Sequence, residues 1–304
     1  MYLIYIFLFL ISISFITITY SHRSKIILQL LWIILFVISG TFGYFTDDYE
    51  PYVEIVNNAY INPLAHFHIE PLWIWLAEVC KGDITYFRLF SFSILVILLL
   101  IMSYIYNINN QYLFAYYSLI CLQTHLCWVR QPIAMTLFLI AFALIFKKSY
   151  VIAFLCLIGT FFVHKIGIIM ILLLPFIFIK INKRNIFILF SLIPLFYFFI
   201  YYIISVGDYA IINIFNEYGK ADGSFSKRHI IYTIFNNVSL FTNLILLAVV
   251  IYRYYRTSYG IYNYIMRYLF GVYYITMLLL FMPIQTDVMI TRSLSIANFI
   301  GCSV

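Results

Sequence analysis

Residues 84–106 read ITYFRLFSFSILVILLLIMSYIY, a run in which Arg88 is the lone charged residue. As an α-helix rising about 1.5 Å per residue it reaches roughly 34 Å, enough to cross a hydrocarbon core near 30 Å. The same pattern recurs on both sides of it. Met1 to Tyr20, Ile26 to Phe45, Tyr112 to Val129, Pro132 to Phe146, Tyr150 to Val163, Ile166 to Ile179, Ile186 to Ser205, Val238 to Tyr252 and Tyr268 to Pro283 are apolar and separated by short polar punctuation. The chain of 304 residues is 65% hydrophobic, 21% aromatic and 10% charged. A soluble domain carries about 25% charged residues, so this composition cannot furnish a water-facing shell. The expectation is an all-α, polytopic integral membrane protein of about ten transmembrane helices, forming one membrane domain over 1–304. Met1 to Tyr20 lacks a basic n-region and a cleavage site, and reads as a retained first span.

Orientation follows from Lys and Arg in short loops, which favour the cytoplasmic side. Arg23, Lys25, Lys147, Lys148, Lys180, Lys183, Arg184, Arg253, Arg256 and Arg267 fall on one side of the alternation, which places the N-terminus outside. All 11 Asp and Glu fall on the other side. Acids contribute little to the orientation rule, so their segregation points to work done at the outer face. Two longer outer loops are expected, 46–83 and 206–237, the first containing an interfacial or re-entrant helix at Leu72 to Val79. Pro132 suits a first helical turn and separates Tyr112–Val129 from the span that follows.

The net charge of +7 is dispersed among loops and forms no basic arm, so no nucleic-acid partner is expected. Five cysteines form no C-x-x-C pair, and His66-x-His68-x-Glu70 is a single short cluster; no metal and no cofactor are expected.

The informative charges stand at outer helix ends: Asp47-Asp48-Tyr49-Glu50 with Tyr52, Glu70-Pro71-Leu72, Val129-Arg130-Gln131-Pro132, and Val163-His164-Lys165. Ionisable groups at membrane depth are costly and raise a functional hypothesis, with snorkelling to headgroups as the alternative. Arg88, Arg130 and Lys165 each lie near the start of an outer helix end, where unpaired N–H groups and the helix dipole favour an anion such as a membrane-bound diphosphate. Asp47, Asp48 and Glu70 suit the other half of a reaction, binding or deprotonating a sugar hydroxyl, and His164 suits either role. Trp73 and Trp128 lie where an indole can stack on a sugar ring.

These elements, Asp48-x-x-x-Tyr52, Glu70-Pro71 with its aromatic sequel, Val129-Arg130-Gln131-Pro132-Ile133-Ala134 and Phe162-Val163-His164-Lys165, give the chain its family likeness. It resembles the EpsG-like group of Wzy-type bacterial polysaccharide polymerases. The resemblance implies a glycosyltransferase that joins undecaprenyl-diphosphate-linked oligosaccharide repeat units at the outer face of the cytoplasmic (inner) membrane. The product would be O-antigen, as in lipopolysaccharide biosynthesis, capsule or exopolysaccharide. It also implies a flippase and a chain-length regulator as pathway partners. On this reading Arg130, Arg88, Lys165, Arg228 and Arg292 hold the donor diphosphate. Glu70, Asp48 or His164 activates the acceptor, and Trp73, Trp128, Tyr52 and Gln131 contact sugar. The chain departs from the family pattern in placing its glycine at Gly43, well before the first acid, and in having 12 residues after Arg292 where a further span is common. Rival readings are a flippase for the same lipid-linked units, whose polar sites would lie nearer the bilayer midplane, and another outer-face transferase such as an O-antigen ligase.

Overall fold

The computed structural model describes residues 2–17, 22–42, 49–62, 70–118, 130–164, 167, 170–171, 173–189, 191–192, 194–195, 245, 248–255 and 261–280. Among the described residues every regular element is helical: α1 (Tyr2–Thr17), α2 (His22–Thr41), α3 (Tyr49–Ile61), α4 (Pro71–Val79), α5 (Ile84–Tyr106), α6 (Asn110–Tyr116), α7 (Arg130–Phe146), α8 (Tyr150–Val163), a 3₁₀ turn (Leu174–Phe178) and α9 (Ile261–Leu280). Within them, Ser24–Thr41 and Ile84–Tyr106 are long and apolar enough to cross a membrane, and Ile6–Phe15, Arg130–Phe146 and Tyr150–Val163 are shorter apolar helices.

The chain divides into two compact units, Met1–Ile171 and one beginning at Leu172. In the first, α5 starts at Asp83, whose carboxylate accepts from the backbone N–H groups of Thr85 and Tyr86 at 2.7 and 3.1 Å, and stops at Asn107 in the left-handed conformation. Both are ordinary helix boundary signals. The buried residues of α5, from Phe87 and Ser91 through Leu95 and Leu99 to Met102 and Tyr106, form one stripe at helical spacing. α7 is buried nearly all round, with Ile133, Ala134, Met135, Phe138, Leu139, Ile140, Ala141 and Phe142 in the core, as expected of a central helix with no polar face. It forms a hairpin with α8 through Lys147-Lys148-Ser149 and packs on α5. The Tyr106 hydroxyl donates to the Leu139 carbonyl at 2.8 Å across that contact. Lipid is as apolar as leucine, so close packing and bonds of this kind hold such helices together.

α2 packs on α5 and α6 through aromatic rings: Phe36 meets Phe92 of α5 edge-on at 5.6 Å, and Trp32 stacks on Phe114 of α6 at 4.1 Å. The hydroxyls of Ser12, Ser91, Thr136 and Thr160 are satisfied locally, each donating to the carbonyl four residues back in its own helix. By contrast α8 turns Val151, Ile152, Phe154, Leu155, Phe161 and Phe162 outward. A surface this apolar is built for a non-aqueous neighbour, which agrees with a membrane protein.

The second unit contains the 3₁₀ turn and α9. Arg267 Nη1 donates to the Ile177 carbonyl at 3.1 Å, and the Tyr274 hydroxyl to the Leu189 carbonyl at 2.7 Å.

Several expectations need revision. Residues 166–179 do not form one described helix, because a 3₁₀ turn with Pro175 in its first positions takes over at Leu174. α9 begins at Ile261, seven residues before the expected Tyr268, so Arg267 sits within a helix, its guanidinium carbon 5.2 Å from the Tyr264 ring centroid. Within 46–83 the expected Leu72–Val79 helix appears as α4, and α3 is an additional helix. Residues 206–237, the second outer loop, lie outside the described residues.

Gly40 on α2 is in close contact with α5. A Cβ there would overlap the ring of Phe92, and the Gly40 carbonyl accepts from Arg88 Nε at 2.7 Å. Gly40→Ala should cost about 1–3 kcal/mol through overpacking, read as a lower melting temperature of the purified protein in detergent. An unchanged melting temperature would contradict this packing.

Candidate active site

Three helices bring one side chain each to a common point. Tyr52 lies on α3, Glu70 is the residue that caps the start of α4, and Arg130 opens α7. Arg130 Nη1 donates to Glu70 Oε2 at 2.7 Å, and Arg130 Nε donates to the Tyr52 hydroxyl at 3.1 Å. The guanidinium carbon also stands 5.3 Å from the centroid of the Tyr52 ring, within cation–π range. The side chains of Arg130 and Glu70 are 21% and 8% exposed. A charge buried to that degree is tolerable only when paired and hydrogen-bonded, so each residue is a condition for the position of the other. Arg130 precedes the apolar stretch of α7. Burial works against its positive charge, but Tyr52 and Glu70 outweigh that effect and hold its pKa above the ordinary value.

The local sequence explains how Glu70 is presented. Pro71 occupies the first turn of α4, where a missing N–H costs nothing, and Glu70 is extended with φ −64° and ψ 136°. Its carboxylate makes no capping bond to α4 and is directed instead to Arg130. The seat of α4 is fixed by Trp73, three residues on. Trp73 is 2% exposed, packs on Phe87 at 5.5 Å, and donates its indole N–H to the Val163 carbonyl at the end of α8. His164 therefore follows directly on a residue clasped by α4. Its backbone N–H returns to the Thr160 carbonyl at 3.1 Å, and its own carbonyl accepts from Gly167 at 2.9 Å. Gly167 is closely packed there, since a Cβ would collide with Thr160.

Glu70, Arg130 and Tyr52 are thus brought together, with Trp73 and His164 linked to them through the α4–α8 contact. Arg88, expected among the phosphate-binding cations, is 3% exposed and bound to the Gly40 carbonyl. Its guanidinium carbon lies 5.6 Å from the Tyr49 ring and 5.7 Å from that of Phe92, the setting of a residue that fixes helices. Trp73, expected to contact sugar, is likewise engaged in packing. Gln131 is 2% exposed, and its amide nitrogen has no hydrogen-bond partner among the described residues. Asp48, Trp128, Lys165, Arg228 and Arg292 lie outside the described residues. Among the described residues no three His, Cys, Asp or Glu side chains converge where a metal ion could sit.

Tyr49, which belongs to the Asp47-Asp48-Tyr49-Glu50 motif but is given no role by the sequence, sets its ring 5.6 Å from the Arg88 guanidinium carbon. Residues three apart on a helix lie one above the other. The buried positions Tyr52, Val56 and Ala59, spaced i, i+4, i+7, are the pattern that marks α3 as a helix.

A profile of the EpsG family matches residues 25–303. The chain belongs to the EpsG family. Membership, together with the apolar helices, makes it a polymerase-like membrane protein of polysaccharide biosynthesis. No curated protein and no solved structure matches it. The match spans every residue of the EpsG-family chain that forms the site, from Tyr52 to His164.

Trp73→Phe keeps an aromatic ring but removes the donor to the Val163 carbonyl. Leaving that carbonyl unsatisfied should cost about 1–3 kcal/mol. Thermal melting in detergent checks this, and a Trp73→Phe protein as stable as the parent would contradict the clasp.

Proposed function

We propose that the protein is a Wzy-type polysaccharide polymerase. It joins undecaprenyl-diphosphate-linked oligosaccharide repeat units at the outer face of the cytoplasmic membrane, in a fold of about ten transmembrane helices with its N-terminus outside. EpsG-family membership supports the class of reaction. The observation that carries the reading is the Arg130 guanidinium at the first turn of α7, paired with Glu70 and still partly open. The segregation of all 11 acids to one side of the apolar alternation supports the choice of face.

Chemistry at that face has no nucleotide sugar to draw on, so the donor carries its own leaving group on a lipid. In the transfer, the hydroxyl oxygen of the acceptor sugar bonds to the anomeric carbon at the donor's reducing end. The bond from that carbon to the diphosphate oxygen breaks, and its electron pair stays on the diphosphate. The growing negative charge needs fixed cations rather than an acid. Arg130 stands at the first turn of α7, so the positive end of that helix's dipole adds to the same field. The family resemblance alone proposes Lys165, Arg228 and Arg292 as further cations for a diphosphate. Glu70, Asp48 or His164 receives the proton of the acceptor hydroxyl. Tyr52, Gln131 and Trp128 are the proposed sugar contacts, while Arg88 and Trp73 act by holding α2, α4, α5 and α8 in place. The flippase that delivers the units and a regulator of chain length are the proposed pathway partners.

Purified protein reconstituted in liposomes with lipid-linked repeat units should lengthen them, as read on a gel. Arg130→Ala should lower the rate by about a hundredfold or more, the scale of losing one preorganised donor to a developing anion. Arg130→Lys should recover only part of it, because an ammonium cannot reproduce the planar fork. Movement of the lipid-linked units across the bilayer without lengthening would contradict the proposal and favour a flippase.

A further inference from the structure

Arg130 cannot serve Glu70 and a diphosphate through the same N–H group. We propose that Glu70 is an exchangeable occupant of the diphosphate site: its carboxylate holds the place of a phosphate oxygen on Arg130 until the donor arrives, and the donor's arrival frees it to take the acceptor's proton. The inference rests on the polymerase reading and adds an order of events to it.

Geometry supplies the first argument. In the free protein, two N–H groups of the guanidinium are already committed, Nη1 to Glu70 Oε2 at 2.7 Å and Nε to the Tyr52 hydroxyl at 3.1 Å. Carboxylate and phosphate oxygens are equivalent partners for a guanidinium, which takes either in a charge-assisted fork. A ligand that reaches the more exposed member of the pair competes directly with the carboxylate.

The second argument is that Glu70 can leave without unmaking the fold. Its carboxylate contributes no capping bond to α4. That helix keeps its seat through Pro71 at its start and through the Trp73 indole on the Val163 carbonyl. Releasing Glu70 from Arg130 therefore leaves the α4–α8 contact in place.

The third argument is Gln131. A buried amide N–H without a partner is rare and calls for an explanation. Here it lies one residue from Arg130, in the first turn of the same helix, and lacks an acceptor among the described residues. A diphosphate brings several acceptor oxygens to that turn, whereas the resting pair with Glu70 brings only the carboxylate.

The exchange couples the two halves of the transfer. While Glu70 is held on Arg130, the acceptor lacks this base. Once a diphosphate takes Arg130, the Glu70 carboxylate accepts the hydroxyl proton as the new carbon–oxygen bond forms and the carbon–diphosphate bond breaks. The released lipid diphosphate leaves Arg130, the proton passes to water, and Glu70 returns.

Titration of the full-length protein in detergent with inorganic pyrophosphate, followed by calorimetry at fixed ionic strength, tests the exchange. Glu70→Gln removes the competing charge and should bind pyrophosphate at least about fivefold more tightly than the parent. Glu70→Asp, whose shorter side chain draws the carboxylate back from Arg130, should gain less but in the same direction, and serves if the Gln variant does not fold. Affinities equal to or weaker than the parent's in the folded variants would overturn the inference, since Glu70 would then only position Arg130. Arg130→Ala separates the two levels of the argument: parental affinity in that variant would remove the diphosphate site from Arg130 and sink the underlying reading itself.

Discussion

A guanidinium and a carboxylate enter an apolar boundary together or at great cost. Removing one member of a buried pair typically costs about 3–5 kcal/mol, because the other charge is left without compensation. Glu70 and Arg130, 60 residues apart in the chain, therefore tie the start of α4 to the start of α7. Tyr52 draws α3 onto the same guanidinium, and Trp73 carries the constraint from α4 to the end of α8. Neither α3 nor α4 reaches the length needed to cross a bilayer, but both are bound to longer apolar helices through these polar contacts.

The contrast between Arg88 and Arg130 shows how position decides role. Arg88 is 3% exposed, donates to the Gly40 carbonyl and lies against two aromatic rings. Arg130 is bound to ionisable side chains and keeps part of its surface open. Tyr49 and Tyr52, one turn of α3 apart, set their rings 5.6 and 5.3 Å from the two guanidinium carbons, and the Tyr52 hydroxyl also accepts from Arg130 Nε. A carbonyl of Gly40 cannot leave; a carboxylate side chain can.

Parts of this arrangement were legible in the sequence for definite reasons. The ends of α5 coincide with those expected because Asp83 is a strong N-cap and Asn107 accepts the left-handed conformation. The ends of α8 are marked by Lys147-Lys148 before it and His164 after it. α3 was passed over because its apolar positions alternate with Glu50, Glu54, Asn57 and Asn58, and a search for membrane-length runs does not see an amphipathic helix. The helix expected up to Ile179 gives way to a 3₁₀ turn at Leu174, where Pro175 lacks the N–H that a continuing α-helix would use. Glu70 and Arg130 were both singled out, yet for opposite halves of a reaction. Nothing in a spacing of 60 residues says that they touch, and the Gly40 carbonyl that accepts from Arg88 carries no sequence signal at all.

The central claim is that Arg130 acts on substrate as well as on Glu70, and exchanging the two charges separates these roles. In a protein carrying Glu70→Arg together with Arg130→Glu, the ion pair can re-form with its ends reversed. Melting in detergent and lengthening of lipid-linked units would then be measured on the same preparation. The account predicts that the double substitution regains much of the stability lost by either single one while the products stay short. Recovery of long chains by the reversed pair would contradict it, because the cation would then matter only as a brace between α4 and α7.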